Sequence, residues 1–423
     1  MSPDGVSPDA LSYGEAAALV AEHAAKLARG RRPIEHVKLE WAAGRVLARA
    51  LRADRDQPPF ARSTRDGYAC RAAEASTHES LAITGATRAG AVPSGPLARH
   101  SVWEIMTGAP VPKGADAVIM LEHVEAARGR VTLLPPRTIS VGENIVAKGA
   151  QAHKGDELLP VGTRLSAAQI ALAAACGCAT VEVFARPRVA ILATGDELVP
   201  IKSSPVLGQI RNSNAPMLAA MVTAAGGEPW VLPIAADTVS ALDAALAKAA
   251  DAGLLLITGG VSAGKFDLVE PALARTGARF HFTGVHIQPG KPAVFGERPV
   301  KSGKPNPKQR RTQYIYGLPG NPVSSAVTFL LFAAPLLGAL AGSREATPRF
   351  ALARLAADVK AKPGLTRFLP ASCTFAGAVP EVALVPWQGS GDIAAMARAN
   401  CFLVVPEDVD RLDARAIVRI LLV

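Results

Sequence analysis

The sequence predicts a multidomain α/β protein with a doubly wound parallel-sheet domain, a β-rich inserted domain, a helical linking domain and a small C-terminal β domain. Three observations indicate this organisation. From Arg188 onward, apolar strands alternate with Ala-rich helices, which is typical of a parallel sheet covered on both faces. Residues 54–145 instead contain Pro58-Pro59, many glycines and short alternating segments such as SVWEIM and RVTLL, which indicate β-structure. Helical patterns lie on both sides of that block.

The elements before and after the β-rich block define the remaining domains. An amphipathic helix is predicted over 14–29, a second helix over 41–53 and a third over 166–176 (SAAQIALAAAC). We therefore interpret the block as an insertion into a discontinuous domain. The predicted domains are 1–53 plus 146–185 for the helical linking domain, 54–145 for the inserted β-rich domain, 186–342 for the α/β domain and 343–423 for the C-terminal β domain.

Within the α/β domain, RVAILATG, PWVLPIA and LLLITGG predict strands. NSNAPMLAAMVTAAGG and SALDAALAKAADAG predict helices between them. Ligands of doubly wound sheets bind beyond the carboxyl ends of the strands. The loops TGDEL, TGGVSAGKFD and GLPGNPVSS lie at such ends or their continuations, so they contain the candidate binding residues.

Composition narrows the class of ligand. The chain has 423 residues, of which 49% are hydrophobic and 19% charged, so it can bury large cores and is not a disordered protein. Lys and Arg number 46 against 36 Asp and Glu, and the net charge of +10 favours anionic ligands such as phosphates and oxyanions. Aromatic residues make up only 5%, and no basic stripe with interleaved aromatic residues occurs, which argues against nucleic acid.

The cysteines and the apolar segments indicate a cytoplasmic protein. Five cysteines, an odd number with no CxxC pair, argue against a disulfide framework or a structural zinc site and favour a reducing compartment. The first residues are partly acidic and lack the apolar core of a signal peptide. Ser325 to Gly342 is an uncharged run of 18 residues, at the lower limit for a membrane span. Its internal Pro335 and small residues favour a buried helix over a membrane span.

The loop TGGVSAGKFD (258–267) follows an apolar strand that ends at Ile257. Its glycines let backbone N–H groups approach an anion, and Ser262 adds a hydroxyl donor. Asp267 suits a magnesium ion or its bound water. The loop is neither a P-loop nor a Rossmann fingerprint, because it lacks the GK[ST] ending and the GxGxxG spacing. A tight strand-to-helix turn explains the glycines equally well.

The loop GLPGNPVSS (317–325) begins the long apolar helix. Asn321 is a good N-cap, and Pro322 suits the first helical position. Free amides at that start, together with the helix dipole, would bind an anion, and Ser324 and Ser325 add hydroxyls. The alternative is a well-capped helix without a ligand, but this leaves the glycines on both sides of Pro319 unexplained.

Charged residues also follow the predicted strands. Asp196 and Glu197 lie in TGDEL, Asp237 follows PWVLPIA, and Asp267 ends the first glycine loop. Several carboxylates at one sheet edge, beside phosphate-binding loops, indicate a divalent cation. Each acid alternatively caps a helix or a turn, which we expect for Asp196 at least. Lys291, in the Pro-rich loop QPGKPAVFG, is a candidate charge for an oxyanion, and a solvated lysine is the alternative.

Two further segments are polar or basic. PPFARSTRDGYA (58–69) and IMTGAPVPKGADAVIMLE (105–122) contain Asp66 and Thr107, to which spacing alone assigns no role. Residues 298–312 (RPVKSGKPNPKQRRT) are basic, and we interpret them as the tip of a hairpin between AVFGE and QYIYG rather than as a nucleic-acid-binding or nuclear-localisation segment.

Seven motifs, taken in order, resemble the molybdopterin molybdenumtransferase family, to which the eukaryotic gephyrin E-type domain belongs. They are PPFARSTRDGYA, IMTGAPVPKGADAVI, RVAILATGDELV, GQIRNSN, TGGVSAGKFD, QPGKPAVFG and GLPGNPVSSAVTF. The resemblance spans nearly the whole chain and implies four domains, with molybdopterin bound by the α/β domain, in an elongated homodimer. It also implies an enzyme that takes adenylylated molybdopterin and molybdate as substrates, releases AMP with Mg²⁺ and inserts the molybdate into the dithiolene. The active site is then shared between one subunit's α/β domain and the partner's insertion.

The resemblance assigns roles residue by residue. The implied catalytic residues are Asp66, Thr107, Glu197, Asp237 and Asp267, of which Glu197, Asp237 and Asp267 are the magnesium-linked ones. The implied molybdate-binding residues are Lys291, Pro292, Ser324, Arg367 (in GLTRFLP) and Ser390 (in WQGSGD). The substrate-binding residues expected from the loops are Thr194, Gly195, Gly259, Gly260, Ser262, Gly264, Gly317, Pro319, Gly320, Asn321 and Pro322. A molybdopterin adenylyltransferase and proteins of molybdoenzyme maturation are the implied partners beside the second subunit.

Three positions depart from the family pattern. Gln288 stands where many relatives have the first lysine of KPGKP, Gly284 where some have another lysine, and Gln151 where the family's GED has an acid. These lost charges motivate a second hypothesis, a non-catalytic molybdopterin-binding or scaffold homologue, whereas the retained acids favour the active transferase. A third hypothesis is a nucleotide-processing enzyme like the molybdopterin adenylyltransferases. The insertion motifs and the C-terminal β domain argue against it.

Overall fold

The structure is a computed structural model that describes residues 10–28, 30–260, 268–301 and 310–423. Ser262, Gly264 and Asp267 of the predicted site therefore lie outside the described residues, as do residues 302–309 of the basic segment. Within these ranges the chain forms three six-stranded sheets and five two-stranded ones.

The N-terminal helix α1 spans Tyr13–Ala28, close to the predicted range. Ser12 and Glu15 cap its start reciprocally, because each side chain accepts a hydrogen bond from the other residue's backbone N–H, at 3.2 and 2.9 Å. The buried residues of α1 belong to the core of the α/β sheet. The amphipathic pattern predicts this apolar face, but the tertiary structure shows that the α/β domain covers it.

The prediction of a second helix over 41–53 is wrong. The segment and its flank form β1 (Ile34–Lys38), a 3₁₀ turn (Leu39–Trp41) and β2 (Leu51–Arg52). Gly44 has a φ of +73°, which interrupts a helix. Val46 and Leu47 are buried and form bridges to segments more than 100 residues away. Long-range pairing therefore prevails over the local helical preference.

The inserted region contains the first six-stranded sheet. Its elements are β3 (Arg62–Ser63), β4 (Gly67–Cys70), α2 (Ala72–Ala75), β5 (Leu81–Thr87), β6 (Ser101–Ile105), β7 (Ala117–Met120), β8 (Val124–Ala127), β9 (Arg130–Leu133) and β10 (Ile145–Val146). The order across the sheet is β7-β4-β6-β5-β9-β8, with β5 and β6 parallel. The segments SVWEIM and RVTLL form β6 and β9, as predicted.

After the insertion the chain returns to its N-terminal part. The elements are β11 (Glu157–Leu159), α3 (Ala167–Ala175) and β12 (Thr180–Phe184). β11 pairs with β2, and β12 pairs with β1, both antiparallel. A capping box of Ser166 and Gln169 begins α3, which confirms the predicted third helix. The unit formed by these flanks is mixed rather than purely helical.

The α/β region contains the second six-stranded sheet. The strands of the whole region are β13 (Arg188–Ala193), β14 (Leu198–Val199), β15 (Ile210–Arg211), β16 (Glu228–Val231), β17 (Leu254–Thr258), β18 (Arg279–Phe282), β19 (Ile287–Gln288), β20 (Val294–Lys301) and β21 (Arg310–Leu318), of which β14 and β15 form a separate two-stranded sheet and β19 joins the C-terminal sheet. Its helices are α4 (Asn214–Ala224), α5 (Val239–Ala249), α6 (Val269–Arg275), α7 (Pro322–Thr328) and α8 (Ala334–Leu340). The strand order is β16-β13-β17-β21-β20-β18.

Four strands of this sheet are parallel, and two extend it antiparallel. β16, β13, β17 and β21 run in one direction, as the strand–helix alternation predicts. β20 runs back along β21, with Lys301 opposite Arg310, so the predicted hairpin is present, but residues 298–301 and 310–312 of the basic segment belong to its paired strands rather than to its tip. Successive residues of β17 enter opposite cores: Leu256 packs on the side of α4, α7 and α8, and Ile257 on the side of α5 and α6. A strand buried on both faces needs a continuous apolar run, which is what LLLIT supplies.

The long apolar helix is a core element. α7, a π-helical turn (Phe329–Ala333) and α8 together run over Pro322–Leu340. This is the one helix in the described part of the chain that is long and apolar enough to cross a membrane, and 83% of it is buried inside the protein. The α/β core buries the helix, as predicted.

The C-terminal region forms the third six-stranded sheet. Its elements are β22 (Phe350–Leu355), β23 (Val359–Lys360), β24 (Thr366–Thr374), β25 (Glu381–Leu384), α9 (Ile393–Arg398), β26 (Cys401–Val405), β27 (Arg411–Leu412) and β28 (Ile417–Leu422). The order is β19-β24-β25-β22-β28-β26, and an additional pairing of β24 with β26 closes the last five strands into a ring. Since β19 comes from the α/β region, its parallel pairing with β24 joins the two domains.

Candidate functional site

A cleft of about 610 Å³ opens at the carboxyl ends of β13, β17 and β21. Parallel strands end at one edge of their sheet, so loops far apart in sequence meet there. Seven of the eleven residues predicted to bind the substrate line the cleft, namely Thr194, Gly259, Gly260, Pro319, Gly320, Asn321 and Pro322. Gly195 and Gly317 lie at the same strand ends, and Ser262 and Gly264 are outside the described residues.

The turn after β17 presents bare backbone to the cleft. Gly259 has a φ of +90°, and a Cβ there would lie 2.4 Å from the carbonyl oxygen of Thr194. Gly260 has a φ of +61°, and a Cβ would lie 2.8 Å from Cγ2 of Val269. Conformation and close approach together disfavour any side chain at these positions.

A buried polar network shapes the wall of the cleft, and sequence reasoning missed it. Asn214, at the start of α4, donates from Nδ2 to Thr258 Oγ1 at 2.8 Å and to the carbonyl oxygen of Gly320 at 2.7 Å. Ser325 Oγ donates to the carbonyl oxygen of Pro319 at 2.5 Å. These bonds hold the second glycine loop against β17 and α4. A signal was available, since Thr258 is a polar residue that ends a wholly apolar strand.

The first turn of α7 differs from the prediction. Asn321 occupies the N-cap position, but its side chain makes no capping bond and donates instead from Nδ2 to Ser390 Oγ at 2.7 Å. The N–H of Val323, which we expected to be free, donates to the carbonyl oxygen of Ser390 at 3.0 Å. The prediction of free amides is therefore wrong for Val323, because the C-terminal domain supplies an acceptor. The positive end of the helix still lies at the cleft.

Acidic residues gather around the turn after β13. Thr194 Oγ1 donates to Asp237 Oδ1 at 2.6 Å, and the N–H of Asp237 donates to Asp196 Oδ1 at 3.1 Å. A Cβ on Gly195 would lie 2.4 Å from Glu197 Oε2, so this carboxylate folds over the glycine. Asp196 is thus a turn acid, as expected, while Asp237 and Glu197 have exposed side chains.

These acids suit a hard cation. Glu197 lines the cleft. Asp237 is hydrogen-bonded to Thr194, which also lines the cleft. Mg²⁺ takes one or two carboxylates and completes its shell with water and phosphate oxygens, so the oxygen donors present fit this ion. Asp267, the third predicted ligand, lies outside the described residues.

The residues expected to bind the oxyanion come from four segments. Pro292 lines the cleft, and the half-buried Lys291 beside it accepts a hydrogen bond at its carbonyl oxygen from Val285 N–H at 2.9 Å. Ser324 is buried on the first turn of α7. Ser390 belongs to the C-terminal domain and reaches the cleft through its hydrogen bond with Asn321.

Arg367 lies on β24, which pairs with β19. This pairing places Arg367 opposite the exposed Gln288. Arg367 Nη1 donates to the carbonyl oxygens of Lys362 and Leu365, so its guanidinium is partly held by its own turn. A neutral amide therefore accompanies Arg367 at the position where the family resemblance leads us to expect a lysine. Gly284 is buried, and a Cβ there would lie 3.2 Å from Cβ of Ala10. The N-terminal segment therefore fills the space that a larger side chain at position 284 would need.

Asp66 and Thr107 form a pair in the insertion. The backbone N–H of Thr107 donates to Asp66 Oδ1 at 2.6 Å. Hydrogen bonds from the Thr107 backbone and then its side chain hold the pKa of Asp66 below the usual aspartate value. Both side chains are exposed, so the pair presents an ionised carboxylate at the surface.

Comparison with known proteins gives a consistent result over the whole chain. Three family models match: the MoeA N-terminal region (domain I and II) at residues 11–177, a probable molybdopterin binding domain at 190–339, and the MoeA C-terminal region (domain IV) at 352–423. A molybdopterin molybdenumtransferase of Nostoc sp. is 39% identical over 310 residues, which cover 71% of this chain and 68% of that protein. One of Bacillus subtilis is 33% identical over 397 residues, covering 92% and 90%.

A solved structure shares the arrangement of the domains. The crystal structure of the molybdopterin biosynthesis MoeA protein from Pyrococcus horikoshii OT3 superposes with a TM-score of 0.79 at 28% identity, covering 98% of this chain and all of that one. The similarity therefore extends over the full length, in sequence as well as in fold.

Proposed function

The chain belongs to the molybdopterin molybdenumtransferase family, and from this we propose that it inserts molybdate into adenylylated molybdopterin with Mg²⁺-dependent release of AMP. The observation that carries the proposal is the cleft between the two glycine loops. One part of the cleft is lined by the backbone of the glycine loops and by the N-terminus of α7, and another part is lined by the carboxylate of Glu197. A ligand that is phosphorylated and metal-bound satisfies both parts.

The pterin phosphate and its nucleotide would lie along the glycine loops. Gly259, Gly260 and Gly320 line the cleft without side chains, so phosphate oxygens could approach their backbone. Thr194, Asn321 and Pro322 complete this wall. The remaining predicted contacts are Gly195, Ser262, Gly264, Gly317 and Pro319.

Glu197 and Asp237, with Asp267, would hold the magnesium ion. When bound, the ion neutralises negative charge on the phosphate oxygens during AMP release. Thr194 holds Asp237 by donating to Oδ1 of its carboxylate, and the other carboxylate oxygen of this exposed residue would coordinate the ion. Molybdate would bind between Lys291, Pro292 and Ser324 on one side and Arg367 and Ser390 on the other.

We further propose a cytoplasmic homodimer in which the Asp66–Thr107 pair acts on the cleft of the second subunit. Its support is the exposure of both residues and the hydrogen bond that keeps the carboxylate of Asp66 ionised. A molybdopterin adenylyltransferase that delivers the substrate and proteins of molybdoenzyme maturation that receive the product are the proposed partners.

The test is a reaction with defined substrates. The purified protein receives adenylylated molybdopterin, molybdate and Mg²⁺, and AMP release and activation of an apo-molybdoenzyme are measured. AMP release and activation are expected to require the protein, Mg²⁺ and molybdate together. AMP release no faster than in a sample without protein would overturn the proposal.

The same measurement separates a second candidate, a non-catalytic molybdopterin-binding or scaffold protein. The exposed Gln288 beside Arg367 favours this candidate, because the oxyanion side carries one charge fewer than in many relatives. A scaffold would bind molybdopterin in equilibrium dialysis without releasing AMP. Rapid AMP release excludes it.

A further inference from the structure

Three metal-ligating side chains meet at the β18 edge of the α/β sheet, outside the cleft. His23 lies on α1, His281 on β18 and Glu297 on β20, and their ligand atoms all lie within 4.8 Å of one another. The proposed reaction uses none of them. We propose that these residues form a binding site for one divalent transition-metal ion, for which Zn²⁺ is the probe.

The chemistry of the three side chains suits such an ion. Two imidazoles and one carboxylate form a ligand set that Zn²⁺ uses, with a fourth position open to water. His281 Nε2 lies 3.9 Å from Glu297 Oε2. Around a tetrahedral ion with bonds of about 2.0–2.2 Å, two ligand atoms lie about 3.3 Å apart. Since the three ligand atoms all lie within 4.8 Å of one another, side-chain rotations that bring them closer by at most about 1.5 Å would close the site.

His281 supplies an independent reason to expect a ligand. Its side chain is only 8% exposed, and its Nε2 is buried without a hydrogen-bond partner. Buried polar atoms normally have partners, so this nitrogen needs an explanation. A metal ion bound between His281 and Glu297 would occupy its lone pair.

The surroundings hold the imidazoles in the form that binds metals. The ring of His23 lies 4.3 Å from that of His281, and Phe295 packs against both, at 5.2 and 5.0 Å between ring centroids. Burial lowers the pKa of both histidines, which keeps them neutral with a free lone pair. The charged neighbours have opposite effects on the histidine pKa values. Glu22 and Glu297 raise them, whereas Lys26 and Arg279 lower them.

A bound ion would connect α1 to the β18–β20 edge. The segment that contains Lys291 connects β18 to β20. Leu11, just before α1, is attached to this segment because its N–H donates to the carbonyl oxygen of Gly284 at 3.0 Å. The proposed role is thus to stabilise the N-terminal helix on the sheet. The alternative is a pair of neutral histidines in ring contact that binds no metal.

The experiment measures metal binding on the full-length protein after chelation, in excess Mg²⁺ so that the carboxylates of the cleft are occupied. Zn²⁺ is titrated by calorimetry, Co²⁺ is used to report tetrahedral nitrogen–oxygen ligation by its visible absorption, and the unfolding temperature is followed with and without Zn²⁺. The expected result is one equivalent bound and a rise in unfolding temperature of about 5 °C at roughly 100-fold excess over Kd.

Two variants and one control identify the site. Outer-shell changes weaken metal binding by about 10–100-fold, so loss of a direct ligand in Glu297→Gln or His281→Gln should weaken Zn²⁺ binding by at least about 100-fold. Glu297→Gln keeps the shape of a half-exposed side chain, so it remains informative if His281→Gln fails to fold. His36→Gln, which changes an exposed histidine elsewhere, should bind as the wild type does. Binding that is absent in the wild type, or unchanged in Glu297→Gln, would overturn the proposal. Neither result bears on AMP release.

Discussion

Gly259→Ala is expected to damage both the stability and the activity of the protein. The added Cβ would lie 2.4 Å from the carbonyl oxygen of Thr194, and real Cβ contacts do not fall below 3.0 Å, so β13 and β17 must separate by at least 0.6 Å at their ends. The φ of +90° adds backbone strain of about 1–3 kcal/mol for a non-glycine residue. Overpacking adds about 1–3 kcal/mol more. The sum is a destabilisation of about 2–6 kcal/mol.

Thermal and chemical unfolding, together with AMP release, measure this effect. Each kcal/mol lowers the unfolding temperature of a domain of this size by about 2–4 °C, so a fall of at least about 4 °C is expected. Gly320→Ala is the matched control, because its Cβ would meet nothing closer than Gly259 Cα at 3.7 Å. The Gly320→Ala protein should unfold at the wild-type temperature. Any fall in its AMP release would then come from the methyl group that narrows the cleft. A Gly259→Ala protein with wild-type stability and turnover would refute the role of this glycine.

Three further predictions concern charge. Asp237→Asn should lower AMP release by about 10–100-fold at unchanged stability, because an exposed metal ligand is lost; wild-type turnover at all Mg²⁺ concentrations would contradict this. Gln288→Lys should lower the molybdate KM about fivefold, an effect that weakens with salt, and an unchanged KM at low salt would contradict this. The pKa of Asp66, measured by NMR of its carboxyl group, should lie below the ordinary aspartate value of 3.8. Replacing Thr107 with proline removes the hydrogen-bond donor and should return the pKa of Asp66 to that value. Because its folded pKa is depressed, the stabilisation from Asp66 is present above its unfolded pKa and is lost as the pH falls through the folded pKa; an unshifted titration would contradict the hydrogen bond.

Much of the fold follows from local pattern. LLLIT and the run from Pro322 to Leu340 are predominantly apolar because each element is buried on nearly every side, so their composition alone predicts central elements. The rule that parallel strands end at one sheet edge then brings TGDEL, TGGVSAGKFD and GLPGNPVSS to one place. The cleft between two glycine loops is predictable in this way before any coordinates are known.

The tertiary structure alone decided which partners satisfy each polar group and each apolar face. Asn214 bonds with residues 44 and 106 positions away, Val323 N–H finds its acceptor on another domain, and the residues around Val46 are extended rather than helical. His23, His281 and Glu297 are likewise unremarkable in sequence and meet only because α1 packs on the sheet edge. Periodicity along a chain records that a face is buried, whereas the identity of the group that buries it depends on chain topology, because hydrogen bonds and packing act between neighbours in space.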